Sequence, residues 1–171
     1  MTNEVDIGSI TNDRKLELIP PSDPRVQCAI APFNDDMLSE HHFKDRKELT
    51  KVMYDTMKKY GGIGLTCNQV GLPFNYFCIG GHPQIESGLT IHCFNPIIVS
   101  SSDEEVLMDE GCLSYPGVYV KIKRPKDIRV RYKNLHGTIC TKRYSGLAAR
   151  CVQHEIDHLD GIEYFKRAHP I

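Results

Sequence analysis

Apolar residues recur at two different periods along the chain, and each period predicts one kind of element. Within 43–60 they stand at positions 49, 52, 53, 57 and 60 with lysines and arginines between them, which is helical spacing, and "YGGIG" ends this helix. A second helix is predicted from an N-cap at Ser145 to Leu159. Gly161 is placed to end that helix in a left-handed conformation.

Between the two helices the sequence is rich in short runs typical of strands. The predicted strands are "NYFCIGG" (75–81), "LTIHCFNPIIVS" (89–100), "EEVLMDEG" (104–111), "VYVKIK" (118–123), "DIRVRYKN" (127–134) and "TICTKRY" (138–144). The segment "NLHGT" (134–138) predicts a hairpin turn between the last two strands. A helix, several antiparallel strands and a second helix make an α+β domain.

The size of the chain limits its organisation. At 171 residues it is long enough for one well-cored domain and short for two. Residues 1–20 form a polar leader that is a candidate for disorder, and residues 21–171 are expected to form a single catalytic domain. The leader lacks the basic and apolar regions of a signal peptide, and no segment approaches the roughly 18 apolar residues that span a bilayer. Seven cysteines without paired spacing fit a reducing compartment.

The overall charge argues against large anionic partners. A net charge of −1 and a pI near 6.7 argue against a broad electrostatic grip on nucleic acid or on a membrane surface. The densest basic run, "KIKRPK" (121–126), is interpreted as a solvated strand end, because alternating Val and Ile around it read as ordinary sheet. We therefore expect no direct nucleic-acid binding and no membrane partner.

The second helix carries the strongest chemical signal. His154 and His158 are four residues apart, so both imidazoles can reach one metal ion from the same helical face. Glu155 lies one step round, where a carboxylate can exchange protons with a metal-activated water. Two other interpretations fit this local pattern. One is an amphipathic helix with surface histidines, and the other is the metal-binding box of a zinc peptidase.

A third ligand is needed for a metal that activates water. Downstream of the helix the chain offers only Asp160, Glu163 and His169, on the helix end or a short tail. Upstream, "DEGCLSYPG" (109–117) places Cys112 between a strand end and a Pro-Gly turn, where functional groups are often positioned. Taken alone, Cys112 is equally well interpreted as a buried structural cysteine.

Three segments read together resemble the three motifs of peptide deformylase. They are "GIGLTCNQVG" (62–71), "EGCLS" (110–114) and "QHEIDHLDG" (153–161), in the order and spacing of that family. The resemblance extends from about Pro21 to Phe165. It implies antiparallel sheets packed around a central metal-binding helix, and hydrolysis of the N-terminal formyl group from the initiator methionine of new proteins.

The resemblance assigns roles to particular residues. It implies metal ligands at Cys112, His154 and His158, a catalytic acid–base group at Glu155, and oxyanion donors at Gln69 and the Leu113 N–H. The substrate-binding residues that it implies are Gly62, Ile63, Gly64, Met108, Gly111, Leu147, Arg150 and Cys151. It implies one divalent ion, with Fe(II) as the native metal, although the ligand set also accepts zinc, nickel or cobalt.

The chain departs from the family pattern at several positions. Thr66 and Cys67 replace two alanines, and Tyr119 stands where many bacterial members carry an arginine. Arg150 occupies a usually aliphatic pocket position, so its guanidinium either points to solvent or narrows the pocket. The residues after Gly161 are too few for the long C-terminal helix of bacterial members, as in compact deformylases encoded by bacteriophages.

The implied partners are N-formylmethionyl nascent peptides, in the bacterial cytosol or in an infected host cell. Ribosome association would not use a long C-terminal helix. Two other functions stay open from the residues alone. A metallopeptidase that cuts internal peptide bonds is disfavoured by Cys112 and by the lack of a downstream glutamate ligand. A non-catalytic metal staple or ribosome-binding remnant would not require Glu155 and Gln69.

Overall fold

Two long helices and one short helix occur in the computed structural model, which describes residues 14–170. They are α1 (Pro24–Gln27), α2 (Arg46–Lys59) and α3 (Gly146–Leu159). Helix α2 begins three residues later than the pattern predicted, because the Asp45 side chain accepts a hydrogen bond from the Glu48 N–H at 2.8 Å and caps it. Ser145 holds the N-cap position of α3, and Gly161 adopts the predicted left-handed conformation, with φ of 75°.

Within the described residues, seven strands form two antiparallel sheets. The strands are β1 (Gly64–Thr66), β2 (Tyr76–Gly80), β3 (Thr90–Ser101), β4 (Glu105–Cys112), β5 (Tyr115–Pro125), β6 (Asp127–Lys133) and β7 (Ile139–Ser145). A five-stranded sheet has the order β1-β2-β3-β6-β7, and β4 pairs with β5 in a separate ribbon. The predicted α+β class is confirmed, and the three-residue strand β1 at the sheet edge is an addition to it.

The large sheet separates two apolar clusters. The first cluster packs α2 against one face through residues that include Leu49, Met53, Tyr76, Cys78 and Phe94. The second packs α3 against the other face through residues that include Phe77, Ile79, Ile128, Val130 and Val152. Alternation of side chains along β2 explains the division, because Tyr76 and Cys78 point one way and Phe77 and Ile79 the other.

Helix α3 lies in the interior rather than on the surface. Every residue from Ala149 to Leu159 is buried, including two histidines, two carboxylates, an arginine and a glutamine. Polar side chains in such a position require hydrogen-bond or ligand partners. The interpretation of this helix as amphipathic with surface histidines is therefore wrong.

The basic run at 121–126 is solvated only in part. Lys121 and Lys123 are exposed, as predicted, but Arg124 is 4% exposed. Alternation along β5 turns Ile122 and Arg124 inward, and the guanidinium of Arg124 meets the carboxylates of Glu110 and Asp157 there. The prediction of a solvated strand end is wrong for Arg124.

Part of the predicted polar leader lies against the domain. Residues 1–13 lie outside the described residues, whereas Leu16 and Leu18 pack against the first cluster. The Leu16 N–H donates to Thr56 Oγ1 at 2.9 Å. Within residues 14–170, no helix has the length and apolar character needed to cross a membrane.

His92 makes the stability of the fold depend on pH. Burial lowers the pKa of His92 from 6.5 to about 4, and its Nδ1 lies 2.6 Å from the Tyr76 hydroxyl. Between pH 6.5 and about pH 4, His92 is therefore protonated in the unfolded chain but neutral in the folded chain. The free energy of unfolding falls as the pH drops through this window. His92→Gln should remove about 2 to 3 kcal/mol of that loss.

Urea unfolding at pH 7 and at pH 4.5 measures the effect. His136→Gln is the matched control, because His136 is exposed in the β6–β7 turn. Equal acid sensitivity in the wild type, His92→Gln and His136→Gln would show that His92 does not contribute.

Candidate metal centre and active site

The three predicted ligands meet at one point beside α3. The ligand atoms of Cys112, His154 and His158 all lie within 4.8 Å of one another, and Cys112 Sγ is 3.1 Å from His158 Nε2. The two histidines come from successive turns of α3. Cys112 comes from the end of β4, where the pairing with β5 shifts register between Glu110 and Cys112. Such a bulge turns a strand-end side chain away from the regular sheet direction.

Glu110 fixes the orientation of His154. Its Oε1 lies 3.0 Å from His154 Nδ1, so the other ring nitrogen of His154 is left for a ligand. Burial acts to raise the pKa of Glu110, but hydrogen bonds from His154 and Arg124 outweigh it and lower the pKa to about 2. Burial acts to lower the pKa of His154, but hydrogen bonds with the Cys112 sulfur and with the Glu110 carboxylate outweigh it and raise that pKa to about 10.

Gln69 faces the same centre from the large sheet. It lies in the 3-10 helix Cys67–Val70, directly after β1. Its Oε1 accepts a hydrogen bond from the Thr66 N–H at 3.0 Å, whereas the Thr66 hydroxyl donates its single proton to Asn68 Oδ1 at 2.5 Å. The Thr66 N–H thereby turns the amide nitrogen of Gln69 toward the centre, where Nε2 lies 3.7 Å from Cys112 Sγ and donates to Ser114 Oγ at 2.9 Å. Thr66 thus orients Gln69 through its backbone N–H and orients the neighbouring Asn68 through its hydroxyl.

The side chain of Glu155 extends from α3 toward β1. Within residues 14–170 its Oε1 is buried and has no hydrogen-bond partner. Its other oxygen lies so close to Gly64 that an added Cβ at Gly64 would stand 2.5 Å from it. Burial raises the pKa of Glu155 to about 7, partly opposed by the positive charge of His154. A carboxyl group in this state can both accept and donate a proton near neutral pH.

A model of the family described as polypeptide deformylase matches residues 30–171. The chain belongs to that family. Among relatives, a peptide deformylase of Novosphingobium aromaticivorans is 32% identical over 168 residues, which cover 85% of this chain and 85% of that protein. A peptide deformylase from the Wolbachia of Brugia malayi is 41% identical over 157 residues, which cover 84% of this chain and 87% of that protein.

Solved deformylases have the same fold. The Thermotoga maritima enzyme superimposes with a TM-score of 0.80 at 30% identity, over 92% of this chain and 99% of that one. An Acinetobacter baumannii deformylase crystallised with Met-Ala-Ser gives 0.81 at 27% identity, over 90% and 98% of the two chains. Like its family, the chain is a metal-dependent hydrolase that removes the N-terminal formyl group of newly made proteins.

A cavity of about 450 Å³ opens beside the deformylase centre. It brings together most of the predicted site residues, namely Gly62, Ile63, Gly64, Gln69, Gly111, Cys112, Leu113, Leu147, Arg150, Cys151, His154 and Glu155. His158 does not line it and lies deeper, 1% exposed, within the ligand cluster. Tyr119, with its ring against Gly111, is 72% exposed at the border.

The structure does not bring Met108 to this cavity. Met108 lies two residues before Glu110, toward the exposed end of β4, and its side chain is 40% exposed. Leu18, Tyr60 and Glu110 also line the cavity, although they were not predicted to do so. The available signal for Glu110 is its place in the segment "EGCLS", two residues before the predicted ligand Cys112.

The guanidinium of Arg150 does not point to solvent, which excludes one of its two predicted arrangements. Its Nη1 donates to Glu110 Oε2 at 2.6 Å and to the Ile122 carbonyl at 3.0 Å, and its Nη2 donates to the Val106 carbonyl at 2.5 Å. The side chain is 5% exposed and lies in the cavity wall. Arg150 thus ties α3 to both strands of the β4–β5 ribbon.

Arg124 joins the carboxylates that hold this deformylase centre together. It donates to Glu110 through Nε at 2.5 Å and to Asp157 through Nη1 at 2.9 Å. Arg124→Met should lower the free energy of unfolding by about 3 to 5 kcal/mol, because it leaves buried carboxylates short of a partner. Urea unfolding of the metal-loaded protein measures this change.

Arg25→Met is the control for that measurement, because the pair of Arg25 with Asp23 lies on the surface. We expect it to leave the urea midpoint nearly unchanged. Similar midpoints for Arg124→Met and Arg25→Met would contradict a structural role for the buried network.

Proposed function

We propose that Cys112, His154 and His158 hold one divalent ion and that Glu155 moves the protons in deformylation of N-formylmethionyl peptides. The observation that carries this proposal is the buried Oε1 of Glu155, which has no partner within residues 14–170 and lies beside a three-donor cluster. A buried carboxylate oxygen without a partner costs free energy unless water, substrate or an ion meets it.

The donor set suits a transition metal. One sulfur and two imidazole nitrogens bind Fe(II), Zn(II), Ni(II) or Co(II), whereas Mg²⁺ and Ca²⁺ prefer oxygen ligands. Three protein ligands leave room for water or substrate. We take Fe(II) to be the native ion, as the family resemblance implies. When bound, such an ion polarises the formyl carbonyl and makes a coordinated water more acidic.

Glu155 is placed to carry the proton in both directions. As the carboxylate, it accepts a proton from the water that attacks the formyl carbon. As the acid, it returns that proton to the amine nitrogen when the bond between that nitrogen and the formyl carbon breaks, which yields formate and a free N-terminus. Gly64 allows the carboxylate to stand directly beside β1.

Gln69 and the Leu113 N–H are proposed to bind the developing oxyanion. The amide of Gln69 is oriented by Thr66 so that its nitrogen, rather than its oxygen, faces the cluster. The apolar wall formed by Ile63, Leu147 and Cys151 is the proposed site of the methionine side chain. We place the reaction in the bacterial cytosol, where formylated chains are made.

Glu155→Gln should lower formate release from formyl-Met-Ala by about 10²- to 10⁴-fold, because the amide cannot accept the proton of the attacking water. The shape of the side chain beside Gly64 is preserved, so the metal content should stay unchanged. Anaerobically prepared, iron-loaded protein is assayed for formate, and elemental analysis gives the metal content.

Glu105→Gln is the control for a change of charge alone, because Glu105 is exposed on β4. Wild-type turnover by Glu155→Gln would contradict the acid–base role. Cleavage of unformylated peptides alone by the wild type would contradict deformylation itself.

Cys112→Ala should abolish tight metal binding, because two imidazoles alone make an incomplete ligand set. Elemental analysis after dialysis measures metal per chain. Cys140→Ala, on β7, is the matched control and should retain the metal. Full occupancy in Cys112→Ala would show that Cys112 is not a ligand.

A further inference from the structure

Burial alternates from residue to residue along the segment 14–18, which lies against the domain. Arg14, Leu16 and Leu18 are half-buried, whereas Lys15 and Glu17 are exposed. Side chains of an extended chain alternate in this way, so Leu16 and Leu18 face the same side. Both pack against the first cluster, but only Leu18 lines the deformylase cavity.

Hydrogen bonds fix this segment to the domain. The Leu18 N–H donates to the Tyr60 hydroxyl at 3.2 Å, and the Ile19 N–H donates to the Gln69 carbonyl at 2.9 Å. The Tyr60 hydroxyl in turn donates to Glu17 at 2.8 Å. Tyr60 lines the cavity next to Leu18. The position of Leu18 is therefore set by the end of α2 and by the residue proposed to bind the oxyanion.

The two apolar walls of the cavity belong to different clusters. Ile63 and Leu147 pack against the second cluster, on the α3 face of the large sheet. Leu18 and Leu113 pack against the first cluster, on the α2 face. The sheet separates these clusters, and β1 is its edge strand. One apolar wall of the cavity therefore continues the α3 face of the sheet, and the other continues the α2 face.

We propose that Leu18, with the ring of Tyr60, forms a site for an apolar side chain at the residue that follows the formyl-methionine. Successive side chains of an extended peptide point in opposite directions. If the methionine occupies the Ile63 wall, as in the proposed function on which this inference rests, the next side chain faces the Leu18 wall. The charge of Glu17 is paired with Lys59, so this wall suits an aliphatic group.

The test compares two substrates in each variant. The peptides are formyl-Met-Leu-Ser and formyl-Met-Ala-Ser, and the readout is the ratio of their kcat/KM values. We expect the wild type to prefer leucine and Leu18→Ala to reduce that ratio about tenfold, mainly through KM, because the lost methyl groups no longer contact the substrate. A ratio cancels differences in folding and metal content between preparations.

Leu16→Ala is the matched control. It removes the same atoms from the same segment and from the same cluster, but it does not touch the cavity. We expect its ratio to equal that of the wild type. Leu18→Met, which keeps the side-chain volume, should restore the preference that Leu18→Ala loses.

Three results would overturn the inference. They are an unchanged ratio in Leu18→Ala, an equal fall in Leu16→Ala, and an effect confined to the third residue in formyl-Met-Ala-Leu against formyl-Met-Ala-Ser. Failure of the proposed function looks different, because the wild type would then release no formate from any of these peptides.

Discussion

The buried carboxylate of Glu110 is the interaction on which the site depends. Its Oε1 contacts His154 and the guanidinium of Arg124, and its Oε2 accepts hydrogen bonds from Arg124 and Arg150. These partners come from α3 and β5, and Glu110 itself comes from β4, so one ionised group joins the small ribbon to the central helix. The ribbon also carries Cys112, and the distance from that sulfur to the histidines therefore depends on this contact. Without Glu110, Arg150 would lose the carboxylate that it pairs with, and Arg124 would keep only that of Asp157.

The location of the site follows from the way the two sheets meet. Strand β1 is the edge of the large sheet, because it pairs with β2 on one side only within the described residues. Strand β4 is one of the two strands of the ribbon. Helix α3 lies between them and presents its polar residues toward the gap. An edge with unpaired backbone groups is a liability in most proteins, but it is also where an extended peptide can add main-chain hydrogen bonds. The proposed catalytic groups and the free edge of β1 thus lie on the same gap.

Sequence reasoning predicted the elements that depend on local pattern and the residues that depend on short spacing. Helix α3 and the pair His154 and His158 follow from a four-residue repeat, and six of the strands follow from short runs rich in strand-forming residues. It did not predict that Arg124 is buried, because a basic run reads as solvated unless its acidic partners, distant in sequence, are known. Leu18 was missed for the same reason, since its role depends on a wall built by residues that lie far along the chain.

The backbone N–H of Thr66 determines which end of the Gln69 side chain faces the centre. The two ends of a carboxamide have the same shape and opposite character, since one end only donates hydrogen bonds and the other only accepts them. A glutamine free to rotate would offer an electron-rich oxygen to a negatively charged intermediate as readily as a hydrogen. The Thr66 N–H occupies that oxygen, and the amide is left with one productive face. The deformylase site therefore presents the donor end of Gln69, which the identity of this residue alone does not reveal.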